Sequence, residues 1–240
     1  MRKITVGWMF PNLLNLHGER GSVQALERVG KQLGLEMDIR RIEDFDDPIC
    51  FEELDMMIFL PGEIAMFHHL VPALERQRAE LDAYLQEGKY LLAIGTTGLL
   101  FGKSVLREDG STVNGLGYFD LTAKERKYVW GDDIHLRVNG LQMELVGSQI
   151  TMADIDSAEP FGETVYGRGN NGTGTDGAQY KNLIYTNCLG PLFVKNPWFA
   201  EHILRDICSK KGIEISGSAD HTIARDSFAS TLRFIEKKKQ

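Results

Sequence analysis

The first hundred residues alternate between segments typical of strands and segments typical of helices. Strands are predicted at residues 4–10, 36–42, 54–60 and 90–94, and the apolar composition of residues 54–60 predicts burial on both faces. Between the strands, residues 23–33 and 71–86 carry apolar side chains at helical spacing, with Ser22 as the expected N-cap of the first helix. Such alternation predicts an α/β fold with a mostly parallel sheet flanked by helices.

The pattern changes after residue 102, where β-branched and aromatic segments alternate with turn signals such as Asn139-Gly140. Antiparallel strands are predicted at residues 128–130, 134–138 and 141–146, and a further strand at residues 183–187. Helices are predicted from Pro197 to Lys211 and from Thr222 to Lys238. We expect one domain over residues 1–212 and a helical extension packed on it over residues 213–240.

The glycine-rich stretch at residues 167–177 lacks the Gly-Lys-Ser/Thr ending of a phosphate-binding loop. Its glycines are typical of a hairpin that needs positive φ angles, and this interpretation is favoured over a loop that touches a partner or lines a cleft.

Composition narrows the possible functions. The chain of 240 residues has a formal net charge of -7, which argues against nucleic acid or an anionic membrane as the main partner. No apolar run is long enough for a membrane span, and the amino terminus enters a strand directly rather than a signal peptide. Three cysteines without CxxC spacing predict neither disulfides nor a zinc site, and no cofactor is expected. These features together predict a cytoplasmic protein.

The stretch at residues 90–102, Tyr-Leu-Leu-Ala-Ile-Gly-Thr-Thr-Gly-Leu-Leu-Phe-Gly, has the pattern of a strand, a tight turn and the start of a helix. In open α/β sheets such turns lie at the carboxyl edge, where ligands bind and nucleophiles are displayed. This turn contains neither cysteine nor serine, so by itself it is typical of an ordinary strand-to-helix connection.

Several motifs together resemble the CobB/CobQ-type class I glutamine amidotransferases, and most closely the small glutaminase subunit (GatD type) of lipid II isoglutaminyl synthase. The motifs lie at residues 11–21, 60–63, 90–102, 115–120, 167–172 and 190–197. The resemblance spans residues 4 to 211 and implies a flavodoxin-like sheet with added antiparallel strands in the second half.

The family hydrolyses glutamine and passes ammonia to a partner. A cysteine at the elbow attacks the carboxamide, a histidine activates the thiol, and backbone N–H groups hold the oxyanion. At the positions that the resemblance assigns to these two residues, this sequence has Gly95 and Leu189. Loss of the nucleophile and the base together predicts a site without glutaminase chemistry.

Five residues are weak candidates for a rearranged site. Thr96 or Thr97 could supply a hydroxyl nucleophile, although an alcohol needs an adjacent base and a helix-capping role is favoured. Cys188 could supply a thiol, but a buried packing role is favoured because strand alternation turns it away from its neighbour at position 189. His68 and His69 could supply a base, but a surface pair at a helix start is favoured.

Several residues in predicted loops and turns could bind a ligand or partner. Those that we expect to contribute are Gly62, Glu63, Thr96, Thr97, Arg20 and Asn170. His17 lies in the same loop as Arg20, and Glu63 could bind a ligand amine or be a solvated turn carboxylate.

Three functions follow from these observations. The first is a catalytically inactive amidotransferase-like subunit of a heterodimer, which binds, scaffolds or regulates a Mur-ligase-like or other ATP-dependent amidoligase in peptidoglycan or cobalamin synthesis. The second is an active enzyme that releases ammonia from glutamine through a rearranged site. The third is a sensor of glutamine or a related small molecule that uses the vestigial pocket.

Overall fold

The computed structural model describes residues 2–239, which form two sheets with helices on both faces of the first. The helices are Arg20–Gln32 (α1), Phe67–Glu75 (α2), Arg78–Gln86 (α3), Leu192–Lys195 (α4), Pro197–Lys211 (α5) and Thr222–Lys238 (α6). The strands are Lys3–Met9 (β1), Glu36–Ile42 (β2), Met56–Phe59 (β3), Tyr90–Ile94 (β4), Ser104–Leu106 (β5), Thr112–Asn114 (β6), Leu121–Val138 (β7), Glu144–Ser157 (β8), Gly162–Tyr166 (β9), Thr175–Asp176 (β10), Ala178–Tyr180 (β11) and Leu183–Thr186 (β12).

The first sheet has the order β11-β12-β4-β3-β1-β2, and every pairing except that of the edge strand β11 is parallel. This is the flavodoxin-like order, so the predicted α/β class is confirmed. Strands β3, β4 and β12 are buried along their whole length because apolar clusters cover both faces of the sheet.

The second sheet is built mainly on β7, which pairs with β8, β9 and β5. The separate strands predicted at residues 128–130 and 134–138 belong to this single long strand, and the segment predicted at 141–146 begins only at Glu144, after the Asn139-Gly140 turn. The β7–β8 register shifts between Glu125 and Trp130, so residues 126–129 lie opposite Met152 alone. A bulge of this kind bends the strand that carries it.

Two helix predictions were wrong in their bounds. The helix predicted at residues 71–86 is two helices, α2 and α3, separated at Arg76 and Gln77. Gln77 accepts a hydrogen bond from the Ile49 backbone N–H, and Arg76 donates to the Phe45 carbonyl, so contacts with the preceding connection interrupt the helix. Ser22 is not an N-cap, because α1 begins at Arg20 and the Ser22 hydroxyl donates to the Glu19 carboxylate instead.

Other predicted elements were confirmed within a residue or two. Strand β2 and helices α5 and α6 have the predicted bounds. The glycine-rich stretch is a loop between the antiparallel strands β9 and β10, with positive φ at Gly167, Gly169, Gly172 and Gly174. Helix α6 packs on the body of the protein through Phe228, whose ring meets Trp198 edge-on at 5.3 Å, and through Lys238, which pairs with Asp132 and Asp133.

Gly98 gives a direct test of the packing between the turn after β4 and strand β12. A Cβ at position 98 would lie 1.9 Å from Cδ2 of the buried Tyr185 ring. We expect Gly98→Ala to lower the free energy of unfolding by about 2 kcal/mol, because the ring has no space to move without straining the core. Chemical denaturation measures the loss.

The matched control is Gly131→Ala, because a Cβ at position 131 would have only one neighbour, the Gln149 carbonyl oxygen at 3.9 Å. Its effect should stay within about 0.5 kcal/mol. Equal losses in the two variants would show that the Tyr185 contact is not the cause.

Candidate functional site

The loops that could form a site lie together because the carboxyl ends of four parallel strands are in register. Phe59 on β3 pairs with Ala93 on β4 and Met9 on β1, and Thr186 on β12 pairs with Ile94 on β4. The segments that follow these strands, at residues 10–19, 60–66, 95–101 and 187–191, therefore emerge at one edge. This is the edge at which open α/β sheets bind ligands.

The turn after β4 has the backbone shape of an elbow. Ile94 is extended, Gly95 has φ +65°, and a 3-10 helix runs over Gly95–Phe101. Positive φ strains any residue other than glycine, so the turn is sharp and displays position 95 at its tip.

Gly95 and Leu189, the two positions that the sequence assigned to the nucleophile and its base, face each other. A Cβ at position 95 would lie 3.2 Å from Leu189 Cδ2 and 3.1 Å from Pro61 Cγ. Leu189 is buried and makes a two-bond backbone bridge with Ser148, which fixes its position against the elbow. Apolar atoms therefore occupy the space beside the elbow, and neither residue can donate, accept or transfer a proton through its side chain.

A buried carboxylate holds the loop that carries Leu189. Glu19 is fully buried and accepts hydrogen bonds from the N–H groups of Gly190 (2.6 Å) and Leu192 (3.1 Å). The Ser22 hydroxyl donates to Glu19 and accepts from the Phe193 N–H, so the two side chains cap the start of α4 from outside. Burial raises the pKa of the Glu19 carboxyl, and the donated hydrogen bonds oppose this effect.

A second buried carboxylate lies behind the end of β12. Asp176 accepts from the Thr186 hydroxyl at 2.6 Å and from the Asn187 side-chain amide at 2.9 Å, and burial raises its pKa. Asn170, predicted as a ligand residue, lies in this network: its side chain bonds both the N–H and the C=O of Gly177 and accepts from Asn187. Because Asn170 is buried there, the structure gives it a supporting role and does not place it on a ligand cavity.

An open cavity of about 330 Å³ lies next to the elbow, between the carboxyl edge of the first sheet and the bulge of the second. Three of the predicted ligand residues, Gly62, Glu63 and Thr96, line it, and so does His17. The other lining residues are Leu16, Ile64, Ala65, Arg107, Glu125, Val129, Ile150, Thr151 and Met152. Gly95 and Leu189 lie outside this lining, as do the predicted ligand residues Arg20 and Thr97.

His17 is the only imidazole that lines this cavity in the described part of the chain. It has φ +59°, a strained conformation for a residue other than glycine, within the short 3-10 turn Leu16–Gly18. Desolvation by burial lowers the pKa of its ring, so the neutral form is favoured at neutral pH.

The candidates for a rearranged site are not brought together. Thr97 is buried and donates to the carbonyls of Ile94 and Phe59, so it does not cap the helix as predicted, and no hydrogen bond in residues 2–239 involves the Thr96 hydroxyl. His68 and His69 are exposed near the start of α2, with ring centroids 3.8 Å apart, as favoured from the sequence. Cys188 is buried, and burial raises the pKa of its thiol well above the ordinary value.

Sequence reasoning missed Arg107 and Glu125, which form an ion pair of 2.5 Å in the cavity wall. Glu125 lies on β7 and Arg107 directly follows β5, 18 positions away along the chain, and no local motif marks them. Only the pairing of β5 with β7 brings them together. Within residues 2–239, no group of three or more histidine, cysteine, aspartate or glutamate side chains could hold a metal ion.

Solved structures place the fold in a class. The chain matches the structure of PurLQS from Thermotoga maritima with a TM-score of 0.55 and 12% identity, over 86% of this chain and 98% of that one. It matches the crystal structure of a glutamine amidotransferase with a TM-score of 0.51 and 15% identity, over 87% and 99%. No protein-family model matches the chain. Its fold is that of glutamine amidotransferase-like proteins.

Comparison with curated proteins shows sequence similarity to one kind of glutamine amidotransferase subunit. The chain is 24% identical over 246 residues to the GatD subunit of glutamine-hydrolysing lipid II isoglutaminyl synthase from Streptococcus pneumoniae (strain ATCC BAA-255 / R6), covering 98% of this chain and 93% of the relative. It is 25% identical over 218 residues to the GatD subunit from Staphylococcus aureus (strain N315), covering 89% and 88%. The chain is therefore homologous to GatD. None of its helices within residues 2–239 is both long and apolar enough to cross a membrane.

The Glu19 contacts predict a large effect of a single substitution. Glu19→Ala leaves the buried N–H groups of Gly190 and Leu192 without acceptors, so we expect the free energy of unfolding to fall by about 3 kcal/mol. Glu19→Gln keeps an acceptor oxygen, so it should lower the free energy of unfolding by less than Glu19→Ala does. Urea denaturation measures both, with Glu27→Ala on the exposed side of α1 as a control expected to change the free energy by less than about 0.5 kcal/mol. Equal losses at Glu19 and Glu27 would contradict the capping role.

Thiol reactivity tests whether Cys188 could act as a nucleophile. Only Cys50 is exposed among the three cysteines, and burial raises the pKa of both the Cys188 and the Cys208 thiols. Under native conditions at pH 8, we expect a thiol-specific alkylating agent to label Cys50 alone, and all three residues to react in denaturant. Peptide mapping by mass spectrometry identifies the labelled residue, and rapid native labelling of Cys188 would refute its assignment as an inert packing residue.

Proposed function

We propose that this protein is a non-hydrolytic, GatD-like subunit that binds and regulates an ATP-dependent amidoligase. The observation that carries the proposal is the pairing of Gly95 with Leu189 at an elbow that keeps its sharp backbone. The fold, the turn and the neighbouring cavity remain, while the two facing side chains have no nucleophilic or basic group. A site of this kind can bind but cannot attack a carboxamide.

The homology to GatD supports an amidoligase as the partner. The relatives are named as subunits of a glutamine-hydrolysing lipid II isoglutaminyl synthase, and a subunit acts beside at least one other chain. We therefore infer a heterodimer with a Mur-ligase-like amidoligase in cell-wall synthesis. The names of these relatives favour this pathway over cobalamin synthesis, the other pathway that the sequence motifs suggested.

A rearranged glutaminase is the weaker alternative. Thr96 and His17 line the same cavity, but no hydrogen bond joins them, and the buried Cys188 thiol has a raised pKa. A hydroxyl without an adjacent base is a poor nucleophile toward an amide.

Ammonia release from glutamine tests the proposal. We expect the purified protein to release ammonia no faster than buffer, both alone and with the amidoligase present, because neither Gly95 nor Leu189 can take part in proton transfer or covalent attack. A coupled glutamate dehydrogenase assay measures the ammonia, and an active GatD with its own partner serves as the positive control. Co-purification of the protein with the amidoligase tests the subunit role separately.

Thr96→Ala and Cys188→Ala define the outcome that would contradict the proposal. If the unmodified protein releases ammonia well above background and either substitution abolishes that release, the site is a rearranged enzyme. If no ammonia is released and no amidoligase co-purifies, the loss of hydrolysis stands and the subunit role is wrong.

A further inference from the structure

The cavity beside the elbow has an apolar side that is unusually exposed. Leu16, Val129, Ile150 and Met152 line it and are 37%, 59%, 38% and 39% exposed. They come from three distant parts of the chain, the loop after β1, the bulge of β7, and β8, yet they gather at one opening. Exposed apolar side chains that cluster around a cavity mark a binding site more often than they occur by chance.

The lining of the same cavity carries charges of both signs. Arg107 donates through Nε to Glu125, and its two terminal nitrogens donate to no residue in the described range 2–239. Glu63 has no ion-pair partner in the same range. A guanidinium with free N–H groups suits a carboxylate, and a free carboxylate suits an ammonium group.

We infer that this cavity binds a free α-amino acid with an aliphatic side chain, such as leucine, without turning it over. The Arg107 guanidinium receives the α-carboxylate, Glu63 receives the α-ammonium group, and the aliphatic side chain lies against Val129, Ile150 and Met152. The inference rests on the proposed function, since it gives a ligand to a site that does not hydrolyse glutamine.

The volume of the cavity suits a single amino acid, and its apolar lining favours leucine over glutamine. A volume of about 330 Å³ is near the lower end of ligand pockets, which span roughly 300–1,000 Å³, and suits one amino acid. A glutamine carboxamide placed against Val129, Ile150 and Met152 finds no hydrogen-bond partner in these three side chains, whereas the methyl groups of leucine bury apolar surface against them. The resulting preference for leucine over glutamine should be at least about 10-fold in Kd.

Isothermal titration of the full chain with L-leucine and with L-glutamine tests the inference. We expect leucine to bind at least about 10-fold more tightly than glutamine. Leucine methyl ester, which lacks the carboxylate, should bind at least about 10-fold more weakly than leucine. No binding of leucine, equal or tighter binding of glutamine, or undiminished binding of the ester would each overturn the inference.

Val129→Asp locates the binding at this cavity, and Val194→Asp is its matched control, because Val194 is 49% exposed and does not line the cavity. Val129→Asp should weaken leucine binding at least about 10-fold, and Val194→Asp should leave it unchanged. Unchanged leucine binding in Val129→Asp would overturn the assignment of binding to this cavity. The comparison of leucine with its methyl ester uses the unmodified protein, so it does not depend on how either variant folds. Ammonia is measured in the glutamine titration: its release would refute the proposed function, whereas failure of leucine to bind would refute only the ligand.

Discussion

The parallel pairing of β4 between β3 and β12 is the constraint on which the site depends. Because the carboxyl ends of these strands are in register, the elbow after β4 and the loop after β12 must emerge side by side. The burial of all three strands stabilises this register, because their side chains are close-packed in the two apolar clusters that cover the faces of the sheet. The backbone pairing therefore brings positions 95 and 189 together, and this proximity does not depend on the chemistry of their side chains.

Two buried carboxylates preserve the geometry of that meeting point. Glu19 caps the loop after Leu189 through backbone N–H groups, and Asp176 binds the end of β12 through Thr186 and Asn187. Neither interaction needs a cysteine or a histidine. The elbow can therefore keep its shape when the chemical groups are replaced, which is how a fold associated with hydrolysis can serve a binding role.

The fold could be predicted well because apolar residues in the first half of the chain follow clear patterns. Residues 90–94 form a continuous apolar run typical of a buried strand, and residues 23–33 carry apolar side chains at helical spacing. Through resemblance, the sequence also assigned positions 95 and 189 to the nucleophile and its base. It failed where tertiary contacts override local pattern. Gln77 breaks a helix because its side chain accepts from a distant N–H.

The cavity was only partly predictable. Gly62, Glu63 and Thr96 follow strands of the parallel sheet, so their positions at its carboxyl edge could be inferred from the alternation of elements. Arg107 and Glu125 could not, because their contact depends on the pairing of two strands in the second sheet. The burial of Asn170 was not predictable either, because a polar residue in a glycine-rich loop gives no local sign that its side chain is buried in a hydrogen-bond network.

The central claim is that the elbow has kept its shape and lost its nucleophile. Covalent labelling by a diazoketone analogue of glutamine tests it most directly, because this reagent alkylates a nucleophile that lies where the carboxamide carbon would be attacked. Intact-mass analysis should show no adduct on this protein under conditions that fully label an active GatD. A stoichiometric adduct on Thr96, Cys188 or any other residue near the elbow would contradict the account.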